Sequence, residues 1–191
     1  MTMESAQAER QTTATATKWT IDPSHTSVTF GVRHMMVSTV RGEFQNVSGT
    51  VTWDPNRPDA TQIEATLDVA SINTREAQRD AHLRSPDFLD VEKFPKITFR
   101  SRGVGRSKDG SLEVVGDLTI RDTTRVVALD VEGPTPPLVN PWGQTVIGAS
   151  AKTVIKRSDF GMTWNTVLEA GGLLVGDEIS IQLDIELRRE Q

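Results

Sequence analysis

The sequence predicts an all-β fold with one helical interruption. Two observations carry that expectation. Run after run alternates apolar and polar residues with a period of two, and turn signals of hairpin length separate the runs. A third is a charge-dense, helix-forming stretch over residues 71–99, SINTREAQRDAHLRSPDFLDVEKFPKITF, set between two such runs.

In chain order, Val28, Phe30 and Val32 alternate with Thr29, Gly31 and Arg33. Val47, Gly49, Val51 and Trp53 repeat the pattern as far as the turn Asp54-Pro55-Asn56. Ile63, Ala65, Leu67 and Val69 stand against Glu64, Thr66 and Asp68. Beyond the insert, Ile97 and Phe99 resume the alternation. Lys108-Asp109-Gly110 predicts a hairpin turn into Leu112, Val114, Gly116, Leu118 and Ile120. Val127, Leu129 and Val131 form the next strand, which stops at a loop over residues 133–142 rich in proline. Ile147, Ala149, Ala151, Thr153 and Ile155 share one face of a long strand. The last strand sets Ile179, Ile181, Leu183, Ile185 and Leu187 against Ser180, Gln182, Asp184, Glu186 and Arg188. Eight or more strands without regular helical alternation favour an antiparallel barrel or sandwich over a parallel α/β sheet. One-sided alternation gives each strand a wet face and a buried one.

The chain has 191 residues, which predicts one domain, over residues 18–189, with residues 1–17 as a polar, disordered tail. A net charge of −5 argues against non-specific nucleic-acid binding. The absence of cysteine excludes disulfides, thiolate catalysis and cysteine-ligated metal. No apolar run reaches the roughly 18 residues of a membrane-spanning helix, so stable membrane insertion is not expected. The N-terminus has neither an apolar core nor a basic leader, and the expected location is the cytoplasm.

Two readings of the buried face stay open. Small residues at Gly49, Ala65, Gly116, Ala149 and Ala151, beside Phe30, Trp53, Phe99 and Trp142, leave volume for one small ligand. Alternatively, small and large groups interdigitate to native density. The insert also has two readings. Asn73 or Thr74 is placed to cap a helix that runs to about Leu83 and ends before Pro86, with Glu76 three residues after Asn73. On that helix Arg75, Arg79 and His82 make one basic stripe, and Asp80 pairs with Arg84. The stripe is either a rim for an anionic head group or a solvated face with weak ion pairs. Phe88, Leu89, Val91 and Phe94 anchor the insert to the sheet.

Ser24-His25 and His34 define no triad, and no nucleotide-binding or metalloprotease motif is present. His25, His34 and His82 would suit zinc in number, but their spacing does not require it. The expected sets of catalytic residues, metal ligands and cofactors are therefore empty.

Block by block, the chain resembles the YceI-like family, bacterial polyisoprenoid-binding proteins with a lipocalin-like barrel. The matching blocks are Trp19-Thr-Ile-Asp22 with Ser24-His25, Val28-Thr-Phe30-Gly-Val32-Arg-His34, Gly42-Glu-Phe44 and Gly49-Thr-Val51. Ser71-Ile-Asn-Thr74, Arg79-Asp80-Ala-His82-Leu83, Asp87-Phe88-Leu-Asp90 and Phe94-Pro95-Lys-Ile97-Thr98-Phe99 follow. Gly116-Asp117-Leu118-Thr119-Ile120, Ile155-Lys-Arg157-Ser-Asp159-Phe160-Gly161 and Val175-Gly176-Asp177-Glu178-Ile179 complete the match over residues 19–187. The family usually has glycine where Asp122 stands.

The resemblance implies an extended eight-stranded antiparallel β-barrel with a short helical insert near residues 74–90, at one end. It also implies an interior pocket for a long amphiphile, polyisoprenoid or fatty-acid-like. A tunnel is expected along Phe30, Val32, Leu67, Phe99, Leu118, Ile147, Ala149 and Ala151, with His34, Phe44, Trp53, Trp142 and Trp164 as further ligand contacts. Arg75, Arg79 and His82 are expected near the head group. The expected partner is a hydrophobic small molecule, carried or sequestered, with a homodimer suggested by the resemblance and by exposed edge strands. Two other functions compete. One is an enzyme using His25, His34 or His82 as general base on a bound lipid. The other is a stress-related structural protein with a filled barrel.

Overall fold

The structure is a computed structural model that describes residues 16–190 apart from 55, 109 and 170. The expected N-terminal tail lies outside the described residues as far as residue 15, and Thr17 already opens the first strand. The turns expected at Asp54-Pro55-Asn56 and Lys108-Asp109-Gly110 each include one residue outside the described set.

The elements in chain order are β1 (Thr17–Ile21), β2 (Ser27–His34), β3 (Ser38–Phe44), β4 (Val47–Trp53), β5 (Gln62–Asp68), β6 (Ile72–Asn73) and α1 (Ala77–Arg84). They continue with β7 (Lys96–Arg106), β8 (Leu112–Ile120), β9 (Thr123–Glu132), β10 (Leu138–Val139), β11 (Thr145–Lys156) and β12 (Val175–Arg189). Short 3₁₀ turns lie at Pro58–Ala60, Val69–Ser71 and Arg157–Phe160.

Every strand pairing is antiparallel. β12, β1, β4, β5, β7, β8, β9 and β11 follow one another round a ring, which the β11–β12 pairing closes. This is the eight-stranded barrel, with one short helix among the described residues. β12 makes closure possible through its length. One of its edges pairs with β11 from Lys156↔Glu178 to Val146↔Arg188. Its other edge takes β2 as far as Ser27↔Asp184 and then β1 from Ile21↔Leu187. Thus β1 and β2 are one stave broken at residues 22–26. β3 with β4, and β5 with β6, are broken in the same way beside it.

The alternation read from the sequence becomes the inner wall. Trp19, Ile21, Val28, Val47, Ile147 and Leu187 form one buried cluster. Val69, Ile72, Phe88, Leu89, Phe160 and Met162 belong to a second, which seals the end below α1. Val69 and Phe160 are each only 1% exposed, so that end is closed to solvent by packed side chains.

The insert differs from expectation in its cap. Arg75 takes a left-handed conformation (φ 63°) and Asn73 Oδ1 accepts from its N–H, so the chain turns before the helix begins. The cap is Glu76, whose carboxylate accepts from the N–H groups of Gln78 and Arg79. Arg75 therefore lies outside α1, and the three-residue basic stripe does not form. The β8–β9 turn places its positive φ on Arg121 (57°) rather than on Asp122. The turn therefore asks nothing glycine-like of the position where the family usually has glycine.

Candidate ligand-binding site

The inner faces of the strands enclose a cavity of about 900 Å³. That lies at the upper end of the range for small-molecule sites, roughly 300–1,000 Å³. Its wall is aliphatic and aromatic nearly throughout. β12 contributes Ile179, Ile181, Leu183, Ile185 and Leu187, and β11 contributes Ile147, Ala149, Ala151 and Ile155. β2 and β3 bring Phe30, Val32 and Phe44, with the Phe30 and Phe44 rings 5.8 Å apart. Trp53, Leu67, Phe99 and Leu118 close the opposite side. Ten of the expected contacts thus meet at one cavity.

Six do not. His34 ends β2 opposite Val175 and Ser38, off the cavity wall. Trp142 is 78% exposed, in a turn held by Asn140, whose Oδ1 accepts from the N–H groups of Trp142 and Gln144. Trp164 and His82 stand one layer behind the wall. The His82 ring meets Trp164 at 4.6 Å and Phe88 at 5.0 Å, both edge-on, and Phe88 is the ring that reaches the cavity. Arg75 borders a second groove, with Arg41, Glu43, Asp130 and Lys152, and does not line the main cavity. Arg79 donates from Nε to Thr74 Oγ1 (2.7 Å) and from a terminal nitrogen to the Thr74 carbonyl (2.8 Å).

Several of the insert's charges take partners within the chain that neither expectation named. Asp80 is buried and accepts from both the N–H and the hydroxyl of Thr74. Arg84 donates to the carbonyls of Ala70 and Ile72 instead of pairing with Asp80. His82 and Asp87 make a partly exposed ion pair (2.9 Å), as a solvated face would, whereas Arg79, Asp80 and Arg84 bond to the chain beside the helix. These last three hold the α1 plug to the strand it leaves.

The small residues split into two groups. Ala65, Ala149 and Ala151 line the cavity. Gly49 and Gly116 are filled positions: a Cβ on Gly49 would stand 2.8 Å from Ile21 Cδ1, and one on Gly116 would strike the Phe99 ring.

Charged lining groups are few. Asp59 and Arg106 sit with Thr61 and Ser111 at the end formed by the 3₁₀ turn Pro58–Ala60 and the β7–β8 hairpin. Arg157 lies at the sealed end, buried, donating to the carbonyls of Gly176, Met162 and Trp164. Burial lowers its pKa, and Asp177 opposes that shift. The sequence reading did not place the inner face of β12 or Arg157 in the site. The β12 alternation was the signal for the first. Arg157 is legible only through the resemblance.

Asp22 accepts from Ser24 Oγ (2.6 Å) and stands 3.0 Å from His25 Nδ1. The serine proton is therefore directed to the carboxylate, and Ser24 and His25 do not make a nucleophile–base pair. Hydrogen bonds from Ser24 and His25 hold the Asp22 pKa down at about 2, and Asp22 raises that of His25. Among the described residues His25 gathers with Asp22 and Glu186, not with His34 or His82.

A family model for the YceI-like domain matches residues 19–187. A UPF0312 protein of Staphylococcus aureus strain MSSA476 is 37% identical over 173 residues, covering 89% of this chain and 96% of the relative. Among solved structures, a YceI protein of Campylobacter jejuni is 28% identical, with a TM-score of 0.68 over 83% of this chain and 90% of that one. BcnA of Burkholderia cenocepacia, 22% identical, shares the fold with a TM-score of 0.74 over 87% of this chain and 98% of its own. A polyisoprenoid binding domain from Saccharophagus degradans, 13% identical, also shares it, with a TM-score of 0.64 over 92% of this chain and 100% of its own.

Proposed function

This chain belongs to the YceI-like domain family, and from that premise we propose that it binds a long, single-tailed amphiphile inside the barrel, carrying or sequestering it. The observation behind this reading is the cavity of about 900 Å³ whose wall is apolar along the inner face of β12 and along that of β11 apart from Thr153. Each methylene buried there contributes about 0.8 kcal/mol. A tail of roughly ten carbons reaches useful affinity before entropic costs. The Saccharophagus degradans protein with this fold is described as a polyisoprenoid binding domain, which supports an isoprenoid or fatty-acid-like tail.

The head group belongs at the end away from α1. Val69, Phe160 and Met162 fill the α1 end, where the donors of Arg157 are taken up by backbone carbonyls, whereas Asp59, Thr61, Arg106 and Ser111 supply polar lining at the other. The tail enters first and the head stays with Arg106. Native mass spectrometry of protein purified from cells, followed by organic extraction, tests the reading. A stoichiometric lipid that leaves on extraction supports it. Apo protein that takes up neither a fatty acid nor a prenyl alcohol rejects it.

A further inference from the structure

We propose that Asp22, His25 and Glu186 form a binding site for a first-row divalent metal ion of the zinc type on the outer wall of the barrel. The site lies where the stave of β1 and β2 is broken, and it is separate from the cavity. Glu186 faces outward because its neighbours Ile185 and Leu187 face in. Asp22 is only 4% exposed, yet its carboxylate is turned toward the ring of exposed His25.

The spacing suits metal coordination. Bonds of about 2.0–2.1 Å to nitrogen and oxygen give a tetrahedron whose edges are roughly 3.3 Å. His25 Nδ1 stands 3.0 Å from Asp22 Oδ2 and 3.5 Å from Glu186 Oε1, on either side of that value. The ligand atoms of the three residues all lie within 4.8 Å of one another. Water would complete the fourth corner.

The scaffold holds the three residues in place. The Asp22 N–H donates to the Glu186 carbonyl (2.9 Å), and the Glu186 N–H donates to Thr26 Oγ1 (3.2 Å). Ser24 donates to Asp22 from both its N–H and its hydroxyl, leaving Oδ2 facing the histidine. The loop is thus tied to β12 on both sides of His25, as a preorganised site requires.

The charge balance selects the metal class. Arg188 Nε lies 3.6 Å from Asp22 Oδ2 and offsets one of the two carboxylates. Calcium and magnesium depend on several oxygen ligands and full carboxylate charge, which this site lacks. A metal that gains from an imidazole nitrogen suits it better.

The test is calorimetric titration of the chelator-treated full chain with Zn²⁺, and with Co²⁺ read by its visible absorption. One equivalent should bind. Affinity should fall at least about tenfold in both His25→Ala and Glu186→Gln. It should hold in His82→Ala, which removes a half-buried histidine far from the three proposed ligands. Glu186→Gln keeps the shape of an outward side chain, so loss of binding there is read in folded protein. A parent chain that binds neither ion overturns the proposal. So does affinity unchanged in His25→Ala and Glu186→Gln, or an equal loss in all three variants.

Discussion

The Phe99 ring lies over Gly116 on the neighbouring strand, in the space that a Cβ at Gly116 would occupy. One inward gap of the barrel is thus closed by a ring from the next strand, while the gaps at Ala149 and Ala151 remain cavity. Gly116→Ala should therefore push the ring toward the lumen. The expected cost is about 1–3 kcal/mol, as for other overpacked cores, read as a lower denaturant midpoint with unchanged slope.

Ala151→Trp should behave differently, because its side chain enters open volume. Uptake of a fatty acid or prenyl alcohol should be abolished while the melting temperature stays close to that of the parent. A large fall in melting temperature would mean that the lumen is already filled.

Arg79→Ala should destabilise the α1 plug by about 1–3 kcal/mol, since it leaves a buried Thr74 carbonyl without its charged donor. Affinity for a carboxylated lipid and for its neutral alcohol should change alike. Discrimination between the two head groups belongs instead to Arg106→Ala. Parallel binding titrations of the two ligands against both variants check this.

Asp22 supplies an acid-side prediction. Its pKa is lowered from 3.8 to about 2 in the folded chain, so its contribution is complete above the unfolded value. That contribution is lost as pH falls through the folded value. The exposed neighbours His25 and Arg188 temper it to about 1 kcal/mol. Denaturant midpoints measured from pH 5 to pH 2 should fall more steeply for the parent than for Asp22→Asn.

The strands and their inner faces were legible in the chain because a period of two is a local signal, set by the pleat of each strand. Val28, Leu118, Ile147 and Leu187 face inward as their alternation requires. The helix and the residue that stops it were legible for the same reason. Its first residue was not, because Asn73 had two uses, and pairing of β6 with β3 left it to turn the chain at Arg75 rather than cap α1.

What the tertiary structure alone decided is which inward positions are empty and what the charges of the insert hold. Gly116 and Ala149 read alike in sequence, but only Gly116 has an aromatic ring leaning over it from the next strand. Arg75, Arg79 and His82 share helical spacing, but Arg75 sits in a turn, Arg79 is held by Thr74, and His82 pairs with Asp87 against a Trp164–Phe88 layer. Asp22 and Glu186 come from opposite ends of the chain and meet only because β12 runs beside β1. Close packing and long-range pairing are not periodic in sequence, and so closure of the barrel had to place them.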